Sequence, residues 1–176
     1  MTTINAADTP TTAPNGALSP IALGPDAGEH FWFFGGLTTI KADGAGTGGR
    51  MMLSEQRAPR GSGSPLHVHH KEDEWFYVLE GELTIWVAGQ TILAPAGSFV
   101  FGPRDMPHTF VVSSEEARFL LVTLAAGFEG FIRALGDSAP VAEIPPAPTA
   151  PPDMAPILQA AADHGIEILG PPGIPA

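Results

Sequence analysis

Short apolar runs separated by clusters of Gly, Pro and Asp dominate the chain from about residue 30 onward. The runs are rich in β-branched and aromatic residues, which favour strands over helices. Many short strands at this spacing are typical of an all-β sandwich or barrel. The pattern predicts nine strands, at residues 31–41, 50–57, 66–70, 74–80, 82–88, 90–94, 98–102, 107–113 and 117–125.

Two tight turns are predicted between these strands. Glu80-Gly81-Glu82 and Ala88-Gly89-Gln90 each place a glycine between two apolar runs, as hairpin turns require. The sequence contains no internal repeat. One barrel is therefore expected over residues 26–126, rather than a tandem pair.

The two ends of the chain follow other patterns. Residues 1–25 have few large apolar groups, which predicts a flexible arm or an arm that wraps a partner subunit. Residues 127–176 form a C-terminal segment, with a predicted short helix at 127–135 and a Pro-rich linker at 140–152. A second helix is predicted after the linker. It begins at Asp153, ends at Gly165 and carries the apolar stripe Ile157, Leu158 and Ala161.

Composition agrees with this picture and excludes some functions. The 176 residues include 21 Gly and 19 Pro, which disfavour long helices. The net charge of −11 argues against nucleic-acid and membrane partners, since both are anionic. There is no cysteine, so thiolate chemistry and disulfides are excluded. We see no signal peptide and no apolar run as long as a membrane span, so the default expectation is a cytoplasmic protein.

Four of the six histidines lie between residues 67 and 108. His67 and His69 are two apart, so on a strand they point to the same face, and His70 points away. Glu74 opens the next predicted strand, and His108 lies on a distant one. Three imidazoles and one carboxylate are suited to a divalent transition metal.

The same residues resemble the two sequence motifs of the cupin superfamily. The first motif, G(x5)HxH(x4)E(x6)G, matches from Gly61 to Gly81 without a gap. The second, G(x5)PxG(x2)H(x3)N, is similar at Gly97, Pro103 and His108. Asp105 replaces its third glycine and Val112 its asparagine. Asp tolerates a left-handed turn, and neither change removes a ligand position.

This resemblance implies a single double-stranded β-helix, the cupin or jelly-roll barrel, with a short helical tail. It implies that His67, His69, Glu74 and His108 hold one divalent metal per barrel, with Fe, Mn, Ni or Co expected and Zn also compatible. A homodimer is implied as well. The segment 126–136 is further similar to small bacterial quercetin 2,3-dioxygenase-like cupins, which open the central ring of flavonols with O2 and release carbon monoxide.

For such chemistry Glu74 is the candidate general base, because it is the one ligand in this set able to take the proton of an enol. A dry apolar pocket is also needed. Residues predicted to line it are Phe76, Val78, Phe101, Phe110, Val112 and Met51, with Phe33 and Trp86 as further candidates. Residues 71–73, which include Glu72, are interpreted as a solvated charged turn.

Three functions remain open from the sequence. The first is a dioxygenase acting with O2 on a small enolisable aromatic of the flavonol type. The second is an O2-independent metal-dependent isomerase, cyclase or decarboxylase that uses the same ligands. The third is a cupin that binds a small ligand without catalysis.

Overall fold

The computed structural model describes residues 18–150 and 152–175. Their strands are β1 (Glu29–Phe33), β2 (Gly36–Ala42), β3 (Met52–Pro59), β4 (Pro65–His69), β5 (Asp73–Glu80), β6 (Glu82–Val87), β7 (Gln90–Pro95), β8 (Phe99–Gly102), β9 (His108–Val112), β10 (Glu116–Leu124), β11 (Asp137–Ser138) and β12 (Ile166–Pro172). Their helices are α1 (Gly44–Thr47), α2 (Phe128–Leu135) and α3 (Met154–His164).

The strands form two antiparallel sheets that enclose one core. The larger sheet has seven strands in the order β11-β1-β2-β3-β10-β5-β8, and the smaller has five in the order β12-β4-β9-β6-β7. Alternate side chains of both sheets point inward, and Phe76, Phe119 and Ile85 lie almost completely buried between them. The predicted all-β jelly-roll barrel with a short helical tail is confirmed.

The tight turns follow their predicted chemistry. Ala88 and Gly89 both have positive φ, 45° and 90°, and join β6 to β7 as a two-residue hairpin turn. At Gly81, φ is 75°, and a Cβ would come within 2.2 Å of the carbonyl oxygen of Glu116. Glycine is therefore required at that turn by both backbone angle and space.

The predicted strand at 31–41 is wrong, because the chain reverses in its middle. β1 and β2 are separated by Phe34 and Gly35, whose φ values of 47° and 77° make a two-residue hairpin turn. The apolar pattern concealed this turn because a phenylalanine occupies its first position. Phe34 is retained there by packing, with its ring 4.3 Å from that of Phe33.

The N-terminal arm is described only in part. Residues 1–17 lie outside the described residues. Residues 18–25 lead towards β1, and the ammonium of Lys41 on β2 donates to the carbonyl oxygens of Gly24 (3.4 Å) and Ala27 (2.7 Å). These bonds fix the end of the arm on the larger sheet.

The C-terminal segment is part of the barrel. β12 pairs with β4 and places Ile166 opposite His69 and Ile168 opposite His67, a strand that the sequence pattern did not predict. As predicted, Asp153 caps the start of α3, where its side chain accepts from the amide of Ala155, and Gly165 caps the end with φ 76°. Of its expected apolar stripe, Ile157 and Ala161 are buried, whereas Leu158 is exposed.

Several aromatic residues alternate along their strands with inward-facing core residues, and these aromatic residues lie on the outside of the larger sheet. Trp75 and Tyr77 face outward on β5, as predicted, and Trp75 packs 5.6 Å from Phe99. Phe99 and Phe101 of the edge strand β8 are also exposed. The homodimer stays a prediction.

If β12 is an integral strand, Ile166→Ala should be costly. Ile166 belongs to the core and is 5% exposed, so we expect a loss of about 2–4 kcal/mol in the free energy of unfolding. Leu169→Ala on the same strand is the control, because Leu169 is exposed and should change stability by less than about 0.5 kcal/mol. Urea unfolding of both variants measures this, and equal small losses would contradict the assignment.

Candidate metal centre

Four buried side chains from both sheets meet at one end of the barrel. His67 and His69 extend from β4, and His108 from β9, in the smaller sheet. Glu74 reaches across from β5 in the larger sheet. One ligand atom from each of the four lies within 4.8 Å of the others. The sequence-predicted set is thus brought together by the tertiary structure.

The strand pairing explains the arrangement. His67 lies directly opposite His108 in the β4–β9 pair, so their rings come 4.3 Å apart. His69 follows two residues later on the same face. Its Nε2 is 3.1 Å from Nε2 of His67 and 3.9 Å from a carboxylate oxygen of Glu74. Nε2 of His108 lies 2.9 Å from the other oxygen of Glu74.

The hydrogen bonds made by the Nδ1 atoms show which ring nitrogens can bind a cation. Nδ1 of His67 donates to the carbonyl oxygen of Pro65 at 2.8 Å, and Nδ1 of His108 donates to that of Met106 at 2.9 Å. A carbonyl oxygen only accepts, so both Nδ1 atoms must carry hydrogen. When these rings are neutral, as they are when they bind a metal, their Nε2 lone pairs therefore point into the cluster, which is the tautomer that a metal site requires.

The charges of the metal-free cluster are set by burial and by Glu74. Burial lowers the pKa of His67 to about 3, with help from the neighbouring His108 and His69. Burial alone would raise the pKa of Glu74, but the hydrogen bond from His108 and the adjacent imidazoles hold it well below its usual range. For His108, burial acts to lower the pKa, and the bond to Glu74 outweighs it and raises the pKa.

Burial and donor chemistry both fit a divalent transition metal. Three neutral imidazoles and one ionised carboxylate are ligands that first-row divalent metals accept. The close approach of two Nε2 atoms at 3.1 Å needs a proton or a cation between them, since two lone pairs repel. Four protein ligands leave one or two coordination positions open, as catalytic sites require.

Glu72 is a functional candidate that the sequence interpretation missed. The charged turn at 71–73 was expected to be solvated, but Glu72 is only 2% exposed. Its carboxylate lies 3.4 Å from Nδ1 of His69. It therefore supports His69 as the carbonyl oxygens of Pro65 and Met106 support the other two rings. The spacing of three residues between His69 and Glu72 was the available signal.

The wall around the cluster comes partly from the C-terminal segment. Phe128 of α2 packs edge-on against His69, with ring centroids 5.2 Å apart. Phe128 also contacts Phe33 and Phe131, at 6.5 and 5.6 Å. Thr123 lies opposite Glu74 in the β10–β5 pair and is fully buried, with a hydroxyl that has no partner among the described residues.

Most predicted pocket residues face the interior. Phe76, Val78 and Val112 are buried in the core, and Phe110 packs against Phe76 at 5.6 Å. Phe33, a further candidate, is buried too. Their contact with a substrate stays a prediction.

Three of the pocket assignments are wrong. Phe101 lies opposite Trp75, so it shares the outward face of that strand and is 47% exposed. Met51 precedes β3, and it is Met52 that is completely buried. Trp86 alternates with the buried Ile85 and therefore points outward. The sequence could not show which residues of these strands face the barrel interior, because none of the strands carries a metal ligand whose direction is known.

Part of this architecture matches a known protein family. Residues 54–123 match the family model described as the cupin domain, a stretch that runs from β3 to β10 and includes all four cluster residues. The chain carries a cupin domain. Asp105, which replaces a motif glycine, has φ 63°, so the left-handed turn of the cupin motif is kept.

Two curated relatives share a description. A quercetin 2,3-dioxygenase of Bacillus subtilis is 32% identical over 127 residues, which are 72% of this chain and 37% of that protein. A quercetin 2,3-dioxygenase of Aspergillus japonicus is 30% identical over 78 residues, which are 42% of this chain and 22% of that protein. The chain thus spans about a third or less of the length of these relatives.

Solved structures support the fold. A "predicted oxalate decarboxylase" of Thermotoga maritima superposes with a TM-score of 0.51 at 21% identity, over 57% of this chain and 94% of that chain. An RmlC-like cupin of Shewanella frigidimarina has a TM-score of 0.50 at 21% identity, over 58% and 88%. Among the described residues of this cupin, no helix is long and apolar enough to span a membrane.

Removing a cluster imidazole should abolish metal retention. We expect His69→Ala to lose stoichiometric divalent metal, because a three-ligand remnant holds a cation far more weakly. His70→Ala is the matched control. It lies next in sequence, yet its ring is half-exposed and contacts Asp105 and Glu167 instead of the cluster. Elemental quantification after dialysis measures both, and metal loss in the control would contradict the strand register.

Metal affinity should also increase with pH. The raised pKa of His108 means that its imidazole holds its proton to a higher pH than an ordinary histidine does, and a cation must displace that proton. Affinity is therefore expected to fall as the pH is lowered from 8 to 6. Competition titrations with a chelator at several pH values measure this, and a pH-independent affinity would contradict it.

Glu72→Gln tests the support of His69. Loss of the carboxylate should weaken metal affinity by about 10- to 100-fold without removing any ligand. Glu167→Gln is a control, since that carboxylate is exposed and contacts His70. Chelator competition with both variants measures the effect, and an unchanged affinity in Glu72→Gln would show that His69 is oriented by packing alone.

Proposed function

We propose that this cupin is a divalent-metal-dependent dioxygenase that opens an enolisable, flavonol-type aromatic with O2. The observation that carries the proposal is the convergence of His67, His69, Glu74 and His108 in one buried cluster. The alignment to a quercetin 2,3-dioxygenase, which covers 72% of this chain at 32% identity, supports the substrate class.

The three imidazoles and the carboxylate would hold the metal through their inward-facing atoms. A bound divalent metal would supply Lewis acidity to the enol oxygen of the substrate and would orient O2 beside it. The remaining tasks fall to residues of this chain.

Glu74 is placed to move a proton. Its lowered pKa keeps it ionised at neutral pH, so it accepts a proton rather than donating one. It is the single carboxylate in the cluster, and its two oxygens face different imidazoles, His69 and His108. We assign to it the removal of the enol proton, which leaves the substrate as an enolate.

The barrel wall excludes water from the reacting atoms. Phe76 and Phe119 are almost fully buried behind Glu74, and Phe128 covers His69. A dry site strengthens the electrostatic interaction with an enolate and protects reactive species from hydrolysis. In this proposal, one O2 is consumed for each carbon monoxide released.

The proposal predicts a specific loss in Glu74→Gln. The substitution removes the proton acceptor and keeps an oxygen able to ligate, so turnover should fall by about 100- to 10,000-fold, while metal content falls much less. Oxygen uptake with a flavonol on metal-loaded protein measures turnover, with carbon monoxide release followed in parallel.

Glu80→Gln provides the matched control for this experiment. Glu80 lies on the same strand, but its side chain is 70% exposed and pairs with Arg118, so turnover should be unchanged. Failure of the metal-loaded wild-type protein to take up O2 with flavonols would contradict the dioxygenase proposal. Substrate conversion without O2 would instead favour an isomerase, cyclase or decarboxylase that uses the same site.

A further inference from the structure

One buried hydroxyl beside the metal centre is not explained by the fold. Thr123 is completely buried on β10, and its hydroxyl has no hydrogen-bond partner within residues 18–150 and 152–175. Buried hydroxyls are normally paired, because an unpaired one loses its bonds to water and gains nothing in return. In the part of the chain that the structure describes, Thr38 is the one other buried side chain in this state. The unpaired hydroxyl of Thr123 therefore indicates a partner that the metal-free arrangement does not provide.

The strand register places Thr123 beside Glu74. The two residues lie directly opposite each other in the β10–β5 pair. Side chains of directly opposite residues share one face of the sheet, with their Cβ atoms about 4.5–5.5 Å apart. That face is the inner one, because Phe119 and Leu121, the preceding alternate residues of β10, belong to the core. The hydroxyl of Thr123 thus borders the carboxylate that faces the cluster imidazoles.

Glu74 has different neighbours on its two flanks in the larger sheet. On β8 it lies opposite Gly102, which has no side chain, and the ring of His108 covers that position, 3.9 Å from where a Cβ would stand. Nε2 of His108 is 2.9 Å from the carboxylate. On the β10 flank the polar group is the hydroxyl of Thr123. Of these two flanking groups, only the imidazole is hydrogen-bonded to Glu74 in the metal-free cluster.

Coordination of a metal must change this pairing. An imidazole nitrogen that binds a cation through its lone pair carries no hydrogen, so Nε2 of His108 cannot be a ligand and also donate to Glu74. The other ring nitrogen of His108 already donates to the carbonyl oxygen of Met106. Glu74 therefore loses its hydrogen bond when the metal binds. Carboxylates that ligate metals are normally hydrogen-bonded in turn, so the buried carboxylate needs another donor.

We propose that Thr123 is that donor, and that its hydroxyl binds the non-ligating oxygen of Glu74 in the metal-loaded protein. A hydroxyl hydrogen rotates freely about its C–O bond, so the donor can be supplied without any movement of the backbone. Thr123 is then a positioning residue that holds the carboxylate toward the metal, as Glu72 holds the ring of His69. This inference rests on the metal centre of the proposed function, and it does not depend on which substrate the protein takes.

The test compares two substitutions at Thr123 by chelator competition with Co²⁺ on the full-length protein. Thr123→Val keeps the shape of the side chain and removes the hydroxyl, so affinity for Co²⁺ should fall by about 10- to 100-fold. Thr123→Ser keeps the hydroxyl and should restore an affinity close to that of the wild-type protein. Thr38→Val is the matched control. Its hydroxyl is equally buried and unpaired, but it lies opposite Gln56 instead of a ligand, so affinity should be unchanged.

Two further measurements separate an effect on Glu74 from a loss of packing. In infrared difference spectra, the carboxylate band that responds to Co²⁺ and is absent in Glu74→Gln should shift in Thr123→Val, because the carboxylate has lost a hydrogen bond. The band should stay in place in Thr38→Val. The melting temperature of metal-free Thr123→Val should not fall, since the substitution removes an unpaired buried hydroxyl.

The outcomes distinguish this inference from the proposed function. An unchanged affinity for Co²⁺ in Thr123→Val overturns the inference, as does a reduced affinity that Thr123→Ser fails to restore or that leaves the carboxylate band unshifted. A lower melting temperature of metal-free Thr123→Val also overturns it, because the hydroxyl would then serve the fold itself. All of these results leave the dioxygenase proposal intact, whereas failure of the wild-type protein to bind any divalent metal overturns both.

Discussion

The structure depends on one electrostatic constraint, the burial of the Glu74 carboxylate inside an apolar barrel. A buried charge is costly unless it is paired and hydrogen-bonded. His108 supplies the hydrogen bond at 2.9 Å, and His69 lies 3.9 Å from the other oxygen. Because Glu74 belongs to the larger sheet and the imidazoles to the smaller, this pairing joins the two sheets. A divalent cation in the same place would join them more strongly.

The orientation of the cluster is built into the backbone and short connections. Two of the three imidazoles are fixed by carbonyl oxygens two residues away in sequence, those of Pro65 and Met106. The third, His69, is fixed by Glu72 from the turn that leads into β5. The ligand-bearing strand β4 is itself held between β12 on one side and β9 on the other. Such rigid support keeps ligand atoms in place when a substrate enters.

The barrel interior divides into two chemical regions. At one end, ionisable groups converge and their pKa values are shifted by burial and by each other. At the other, aromatic rings surround a neutral amide, that of Gln56. The chemistry of the proposed function needs the first region, where the Glu74 carboxylate and the imidazoles converge.

The sequence alone determined the ligand set and most of the fold. The two-residue spacing of His67 and His69 places both on one face of any strand, and the motif spacing implied Glu74 and His108. Local turn chemistry determined the tight turn at Gly81, which connects the two sheets, and the β6–β7 hairpin at Gly89. These features depend on backbone geometry over a few residues, which sequence carries directly.

Other features were decided by tertiary contacts. Phe101 and Trp86 could not be assigned a face until their strands were paired with others. Glu72 resembles a solvated charge in sequence, and only the fold buries it beside His69. β12 has little strand pattern of its own and forms because β4 offers it an open edge. Burial and pairing between residues distant in the chain depend on the whole packed structure, so local patterns do not contain them.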